Sequence, residues 1–265
     1  MKVHIIGQRS YLAGVLETRL GKDFDVRRSS AHEFSAAAVR SGDVIINCAW
    51  EPDLYEKKIR DDLSWDGRFS QIAQEREAYF VMMSSRAVYA NRVDPPLLEG
   101  EYCHAQTVYG RNKTTVEAGL QRIIGPRLLI TRIGNVFGNE STGRRTFVST
   151  ALESLRTRGE IELRMAPETR KDFLPVCFLG NAFRALISER AHGIYNVSSG
   201  LTLTVRDVAE ALVRGYGSGT IRITDWDVGE EFLLDTTKLN THTGLSIGRE
   251  DILAALERSA REHRQ

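Results

Sequence analysis

The chain opens on a short apolar run, "KVHIIG", then a turn, then "LAGVLETRLG", where apolar residues recur at helical spacing. This alternation persists through the first half. "FDVRRSS" reads as a second strand and "AHEFSAAAVRSG" as a helix. "DVIINCAW" is a continuous apolar run of the kind that is covered on both faces in a parallel sheet. The polar stretch from Leu54 to Glu77 is predicted to be one long surface helix. "AYFVMMSS" reads as another buried strand, "QTVYGRNKTTVEAGL" as a helix, and "RLLITRIGNVFG" as a strand with its following loop. Strand–helix–strand repetition predicts an α/β fold, a doubly wound parallel sheet with right-handed crossovers.

The second half is less regular. "RRTFVSTALESLRTRG" is helical, "IEL" is a short strand, and "GIYNVSSG" returns as a strand. "TVRDVAEALVRG" is a helix that begins with a Thr cap, and "REDILAALERSARE" is a terminal amphipathic helix. No repeat or low-complexity linker separates the halves. The expected division is a dinucleotide-binding domain over 1–138 plus about 172–198, and a small substrate-binding annex over about 139–171 plus 199–265.

Composition narrows the function. The 265 residues suffice for one large domain, or one domain and an annex, with a sizeable core. A net charge of +1 and the lack of any Lys/Arg block argue against a nucleic-acid binder. No apolar run is long enough to span a membrane, and the first one is too short for a signal peptide. Cys48, Cys103 and Cys177 are scattered, without a CxxC pair. They fit a reducing, cytoplasmic setting and provide no metal site.

Candidate chemistry starts at the first strand-to-helix turn, "GQRSYLA", where backbone N–H groups and a helix N-terminus can meet a pyrophosphate. The usual small residues fall here on Gly7, Ser10 and Ala13, so one of the three is Gly. At the end of the second strand stand Arg27, Arg28, Ser29 and Ser30, with no acid after Asp25. An acid there suits a ribose hydroxyl and an Arg suits a 2′-phosphate, so this end favours NADP(H) over NAD(H). Tyr109 and Lys113 are four apart on one predicted helix and share a face. Roughly 0.2 such pairs are expected by chance in a chain of this composition, so the pair needs company. Ser84 and Ser85 supply it, at the carboxyl end of a central strand. An ammonium beside a phenol favours its ionised form, and a serine hydroxyl can fix a substrate oxygen. Ser85, Tyr109 and Lys113 together suit proton exchange with a carbonyl or alcohol oxygen while a nicotinamide exchanges hydride.

At this point the chain resembles the extended short-chain dehydrogenase/reductase family that acts on sugar nucleotides, of the NAD-dependent epimerase/dehydratase type. "GQRSYLA" stands for the glycine motif and "DVIINCAW" for a strand that ends in Asn/His-Ala-Ala. "SSRAVY" looks like the catalytic-serine segment, "YGRNK" the Tyr-Lys pair, "TRIGNVFG" the Arg-x-x-Asn-Val-Tyr-Gly segment, and "RKDFLPV" the Arg-Asp-Phe/Tyr segment. "GIYNVSSG" and "LLDTTKLNTHTGL" match two later landmarks. The resemblance implies a Rossmann-like sheet whose cofactor lies on Gly7, Ser10, Tyr11, Leu12, Arg27, Arg28, Ser29, Cys48 and Ala49, with Tyr109 and Lys113. It implies substrate contacts from Ser85, Arg86 and Asn135, and a diphosphate held by Arg170 or Lys171. Lys171 stands where Arg is usual, which keeps the charge and loses the bidentate fork. The third strand of the family's sheet is expected to be very short or absent, since "RRSSAHEF" runs straight into the next helix. A homodimer through Leu54–Glu77 and Tyr109–Ile124 is also implied, although the first of these is polar for an interface.

Among the family's reactions, dehydration places an Asp-Glu pair directly after the catalytic Ser/Thr. Here Arg86-Ala87 follows Ser85, which disfavours it. A 4-epimerase returns hydride to one cofactor and needs no phosphorylated form, whereas a net reductase consumes NADPH. The resulting expectation is a ketoreductase of deoxysugar biosynthesis, reducing a nucleoside diphosphate 4-keto-6-deoxyhexose. An epimerase, or a non-catalytic cofactor-binding sensor, is the alternative.

Overall fold

Four apolar runs of the sequence are buried along nearly their whole length, and they form the centre of one parallel sheet. The computed structural model describes residues 1–60, 64–138 and 146–264. In chain order, the elements begin with β1 (Lys2–Ile6), α1 (Tyr11–Leu20), β2 (Asp25–Ser29), β3 (Val44–Asn47), α2 (Asp53–Glu56) and α3 (Trp65–Glu75). Then come β4 (Tyr79–Ser85), β5 (Arg92–Leu97), α4 (Val108–Ile124), β6 (Leu128–Ile133) and β7 (Asn135–Phe137). α5 (Phe147–Arg158), β8 (Glu160–Arg164), β9 (Arg170–Pro175), α6 (Val176–Ser188) and β10 (Gly193–Val197) follow. The chain ends in β11 (Thr202–Thr204), α7 (Val205–Tyr216), β12 (Thr220–Asp225), β13 (Phe232–Leu234), α8 (Thr237–Thr243) and α9 (Arg249–Arg264).

The chain divides into two compact units. The first comprises Met1–Ala90, Glu99–Ile133 and Gly180–Val197. Its sheet runs β10-β6-β4-β3-β1-β2, with every neighbouring pair parallel. β1 and β3 are adjacent, and the chain leaves them in opposite directions. That makes them the topological switch point, outside whose carboxyl ends such sheets bind ligands. The sheet stops at β2, so no strand forms between Ser30 and Val44, as expected. β2 is mostly exposed and polar, which suits an edge strand. On one face of this sheet Ile6, Ile45, Phe80 and Ile130 pack with Phe69, Val116 and Leu120. Each such side chain, fully buried, contributes about 1.5–3 kcal/mol.

Two expectations change here. "AHEFSAAAVRSG" makes only a 3-10 turn over Ala36–Ala38, capped by the Ser35 side chain, and no α-helix. Leu54–Glu77 contains two helices, α2 and α3, rather than one; residues 61–63 lie outside the described residues. Nor is α3 a surface helix, since Asp66, Gly67, Phe69, Ser70 and Ala73 are buried. Ser64 caps its start, accepting from the Gly67 N–H at 2.9 Å.

The second unit comprises Asn91–Leu98, Gly134–Leu179 and Ser198–Gln265. Residues 139–145, which include Arg144 and Arg145 of a predicted helix, lie outside the described residues. A mixed sheet runs β11-β9-β13-β5, with β7 also paired to β9, and β8 and β12 form a separate parallel pair. α7 starts on the expected Thr cap. Thr204 accepts from the Asp207 N–H at 3.0 Å while Asp207 accepts in return. Phe173, Leu152, Leu155, Leu163, Val208, Leu212, Ile252 and Leu256 form its core. Among the described residues no helix is long and apolar enough to cross a membrane.

Candidate active site

The turn after β1 is built by Gly7, which has φ +124°. A Cβ there would lie 2.8 Å from the backbone of Cys48, so this position needs a glycine on both counts. The Gly7 N–H donates to Ser29 O at 2.8 Å, and Gly7 O accepts from the Ser10 N–H at 2.8 Å. Gly7, Ser10, Ser29, Cys48 and Ala49 therefore meet at the switch point between β1 and β3. Ser10 precedes α1 without using its hydroxyl as a cap, and Tyr11 and Leu12 open the helix. Their N–H groups, like those of every first helical turn, have no acceptor within the helix. These donors and the tight glycine turn fit a dinucleotide pyrophosphate.

Arg27 and Arg28 lie inside β2 rather than beyond its end. Arg27 is exposed and pairs with Asp25 at 3.6 Å. Arg28 lies against α1, 3.3 Å from Glu17. Each guanidinium already has a carboxylate beside it.

The Tyr-Lys helix is held by a relay that polar patterning does not reveal. The Lys113 ammonium donates to Asp66 Oδ2 and to Met83 O, each at 3.0 Å. Asp66 Oδ1 accepts from Asn47 Nδ2 at 2.7 Å, and Asn47 Oδ1 accepts from the Ala49 N–H at 3.0 Å. The relay ties together the ends of β3 and β4 and the helices α3 and α4. The lysine and aspartate side chains are only 8% and 1% exposed. Burial alone pulls the Lys113 pKa down, but Asp66, with help from Tyr109, pushes it above its ordinary value. Lys113 is thus a fixed cation with a matched counter-charge. Next to it, burial pushes the Cys48 thiol up, with Asp66 adding to the effect, so that sulfur stays protonated.

Ser85 ends β4, and its Oγ accepts from the Ala87 N–H at 3.2 Å, capping the 3-10 turn Arg86–Val88. A hydroxyl that accepts one bond still has its O–H to donate. Gly110, directly after Tyr109, lets α4 meet this turn; a Cβ there would overlap the Ala87 carbonyl oxygen. The Thr107 side chain starts α4 by accepting from the Gly110 N–H at 3.0 Å. The helix that carries Tyr109 and Lys113 is in this way packed beside the end of β4, where Ser85 stands. Ser84, one residue earlier on the strand, turns the other way and donates to Glu117.

Of the substrate candidates, Arg86 lies in the 3-10 turn. Asn135, Arg170 and Lys171 belong to the second unit. Asn135 starts β7 and pairs in register with Phe173. Lys171 is a mid-sheet residue, opposite Leu203 of β11 and Phe232 of β13. Arg170 is bound by Glu231, which accepts its backbone N–H at 2.8 Å and lies 3.4 Å from its guanidinium. Asp172, fully buried, accepts from the Ser199 N–H, the Ser199 hydroxyl and the Gly200 N–H, so it holds a turn. Burial pushes its carboxyl up against those bonds.

Asp66, Gly110 and Asn112 have no place in the sequence-based candidate set. Gly110 has a readable signal, since a glycine inside a helix costs about 1 kcal/mol against Ala and so marks a close contact. Asp66 has none, because an acid in the first turn of a helix is ordinary.

A six-stranded parallel sheet with a glycine turn at its switch point and a Tyr-Lys pair beside the next strands defines an extended short-chain dehydrogenase/reductase. The chain belongs to the RmlD substrate binding domain family, whose model matches residues 21–225. That span begins after the glycine turn. Among curated proteins none matches the chain. Solved structures similar to it include UDP-N-acetylglucosamine 4-epimerase from Methanobrevibacter ruminantium, at TM-score 0.85 and 15% identity over 98% of this chain and 97% of that one. A dTDP-4-dehydrorhamnose reductase from Clostridium acetobutylicum has TM-score 0.80 and 18% identity over 100% of both chains. dTDP-glucose 4,6-dehydratase from Bacillus anthracis, solved with NAD, has TM-score 0.82 and 12% identity over 98% and 96%. At these identities the likeness carries the fold, and its three bearers have three different activities.

Proposed function

We propose that the chain is an NADPH-dependent reductase of a nucleotide-activated keto-sugar, of the nucleoside diphosphate 4-keto-6-deoxyhexose type. One observation carries this reading: Tyr109 lies one turn before a lysine fixed as a cation beside the strand that ends in Ser85. A bound nicotinamide supplies hydride to the carbonyl carbon. Ser85 donates to the carbonyl oxygen and orients it, and Tyr109 gives that oxygen its proton. Two of the three Lys113 donors are taken by Asp66 and Met83, and the third serves the cofactor ribose. Asn135 holds the substrate. Its diphosphate would fall to Arg170, which Glu231 already engages, or to Lys171.

Water elimination would need carboxylates near Ser85, and Arg86-Ala87 follows it. Glu117, on the same face of α4, is already bound to Arg132 and Ser84. Arg27 and Arg28 support the phosphorylated cofactor. Their acid partners support a second reading, a nucleotide-sugar epimerase, because a neutralised guanidinium has less to offer a 2′-phosphate. Incubation with NADPH and a panel of nucleotide 4-keto-6-deoxyhexoses should consume one NADPH per sugar and yield a 4-hydroxy product. Interconversion of two nucleotide sugars without net NADPH loss would establish the epimerase instead. Replacing Arg27 and Arg28 by Ala should weaken NADPH about ten- to a hundredfold and spare NADH, as measured by calorimetry.

A further inference from the structure

Tyr55 sits on α2, a helix of four residues, and is 50% exposed. Its ring nevertheless lies flat on Tyr109, with centroids 4.4 Å apart and planes 8° apart. A single helical turn does not hold itself, since nucleation is unfavourable. What holds it is Asn112, a buried residue of α4 immediately before Lys113. Asn112 Nδ2 donates to Leu54 O at 2.8 Å and to Lys57 O at 2.7 Å. Its Oδ1 accepts from the Ile59 N–H at 3.2 Å. Both donors and the acceptor of one side chain are thus spent on the backbone around Tyr55. The Leu54 side chain, also buried, anchors the same turn.

A buried amide that ties up a short exposed turn would be an odd investment for stability alone, since the turn brings one large ring to one place. That place is the phenol assigned as the acid. We propose that Asn112 and Tyr55 form a clamp for Tyr109: Asn112 seats α2 on the catalytic helix, and the Tyr55 ring sets the plane of the Tyr109 ring and closes one of its faces to water. Tyr55 and Asn112 are positioning residues. The Tyr55 ring makes the contact with Tyr109 face to face, and its hydroxyl lies near enough to Lys113 to help hold that ammonium charged. The proposal rests on Tyr109 being the proton donor.

The test begins with cofactor-free protein carrying 3-fluorotyrosine, in which the Tyr109 fluorine signal is identified by its loss in Tyr109→Phe. Removing the stacked ring in Tyr55→Ala should shift that signal. Asn112→Ala should shift it in the same direction, and Tyr55→Phe, which keeps the ring, should shift it less than Tyr55→Ala does. In the reductase assay, Tyr55→Ala and Asn112→Ala should lower kcat about ten- to a hundredfold, the scale of a displaced catalytic group, with KM for NADPH little changed. Tyr55→Phe, which keeps the stacked ring, should lose much less kcat than Tyr55→Ala. A Tyr109 signal unmoved by Tyr55→Ala overturns the clamp. So does wild-type kcat in Tyr55→Ala while Tyr109→Phe is inactive, and in that case the catalytic assignment stands. Full activity in Tyr109→Phe overturns both.

Discussion

The buried face of α4 carries two ion pairs one turn apart, and they differ in how completely they are closed. At Glu117 everything is satisfied. Its carboxylate takes both Nε and Nη2 of Arg132, the latter at 2.7 Å, and also the Ser84 hydroxyl. Arg132 further donates to Tyr89 Oη at 2.8 Å and to Glu99 O at 3.1 Å, and Tyr89 donates to Asn196 at 2.8 Å. At Lys113 the pair is equally buried, but the residue one turn before it, Tyr109, is only partly buried and is covered by a half-exposed ring. Charge and burial alike fail to distinguish the two. On the proposed function, what separates them is whether the network runs out to a group that meets a ligand.

The comparison breaks most visibly if the closed end proves functional. Arg132→Met leaves Glu117 buried without its cation, and should destabilise the fold by roughly 3–5 kcal/mol in urea unfolding. Activity per folded molecule should survive at low denaturant. A normal unfolding midpoint with lost turnover would reverse the roles of the two ends.

The open end should show the opposite pattern. Tyr109→Phe keeps the ring and its stack, so stability should hardly move. Turnover should fall by about a hundredfold or more, because proton donation typically contributes on the order of 10²–10⁴. Steady-state kinetics beside a thermal melt separates the two effects.

Gly110→Ala sharpens the boundary between them. The new methyl group meets the Ala87 carbonyl, which cannot move without the turn after Ser85, so overpacking of about 1–3 kcal/mol is expected. Because that shift separates α4 from Ser85, kcat should fall along with stability. A variant that loses stability alone would show that the Ser85–Tyr109 spacing is not critical.

The smallest effect comes from a third buried pair in the same unit, which avoids the second charge. Burial holds the His4 pKa below its ordinary 6.5, although Asp43, 3.4 Å away, works against it. Asp43 is held below its own ordinary value despite burial, by the Lys2 and Arg40 N–H groups and by His4. On acidification through 6.5 the unfolded imidazole takes a proton that the folded one refuses, so stability falls, by at most about 1.4 kcal/mol per pH unit. The Asp43 contribution is present above its ordinary value of 3.8 and is lost as pH falls further. Unfolding midpoints measured from pH 7 downward should decline from about the ordinary histidine value, and His4→Gln should flatten the first part of that slope. An unaltered slope in His4→Gln would assign it to other groups.

By itself the sequence determined what repeats locally. β1, β3, β4 and β6 are legible because a strand covered on both faces is apolar at most of its positions, and such runs have few other uses. Tyr109 and Lys113 are legible because helical spacing alone puts them on one face. The missing strand after β2 is legible as a shortage of residues. Only the tertiary structure decided that Ser84 is taken by Glu117 while Ser85 caps the turn after β4, since adjacent strand residues look alike until a neighbour claims one of them. It also decided that Asp66 is the counter-ion of Lys113 and that Asn112 reaches back to Leu54 and Lys57, pairings across 47, 58 and 55 residues. The mixed sheet of the second unit belongs here too. β7, β11 and β13 have three residues each, too few to show a period, and they exist because β9 and β5 offer them hydrogen bonds. Patterning reports which face of an element is buried. Which polar group waits on the other side of that face is set by how the chain is wound.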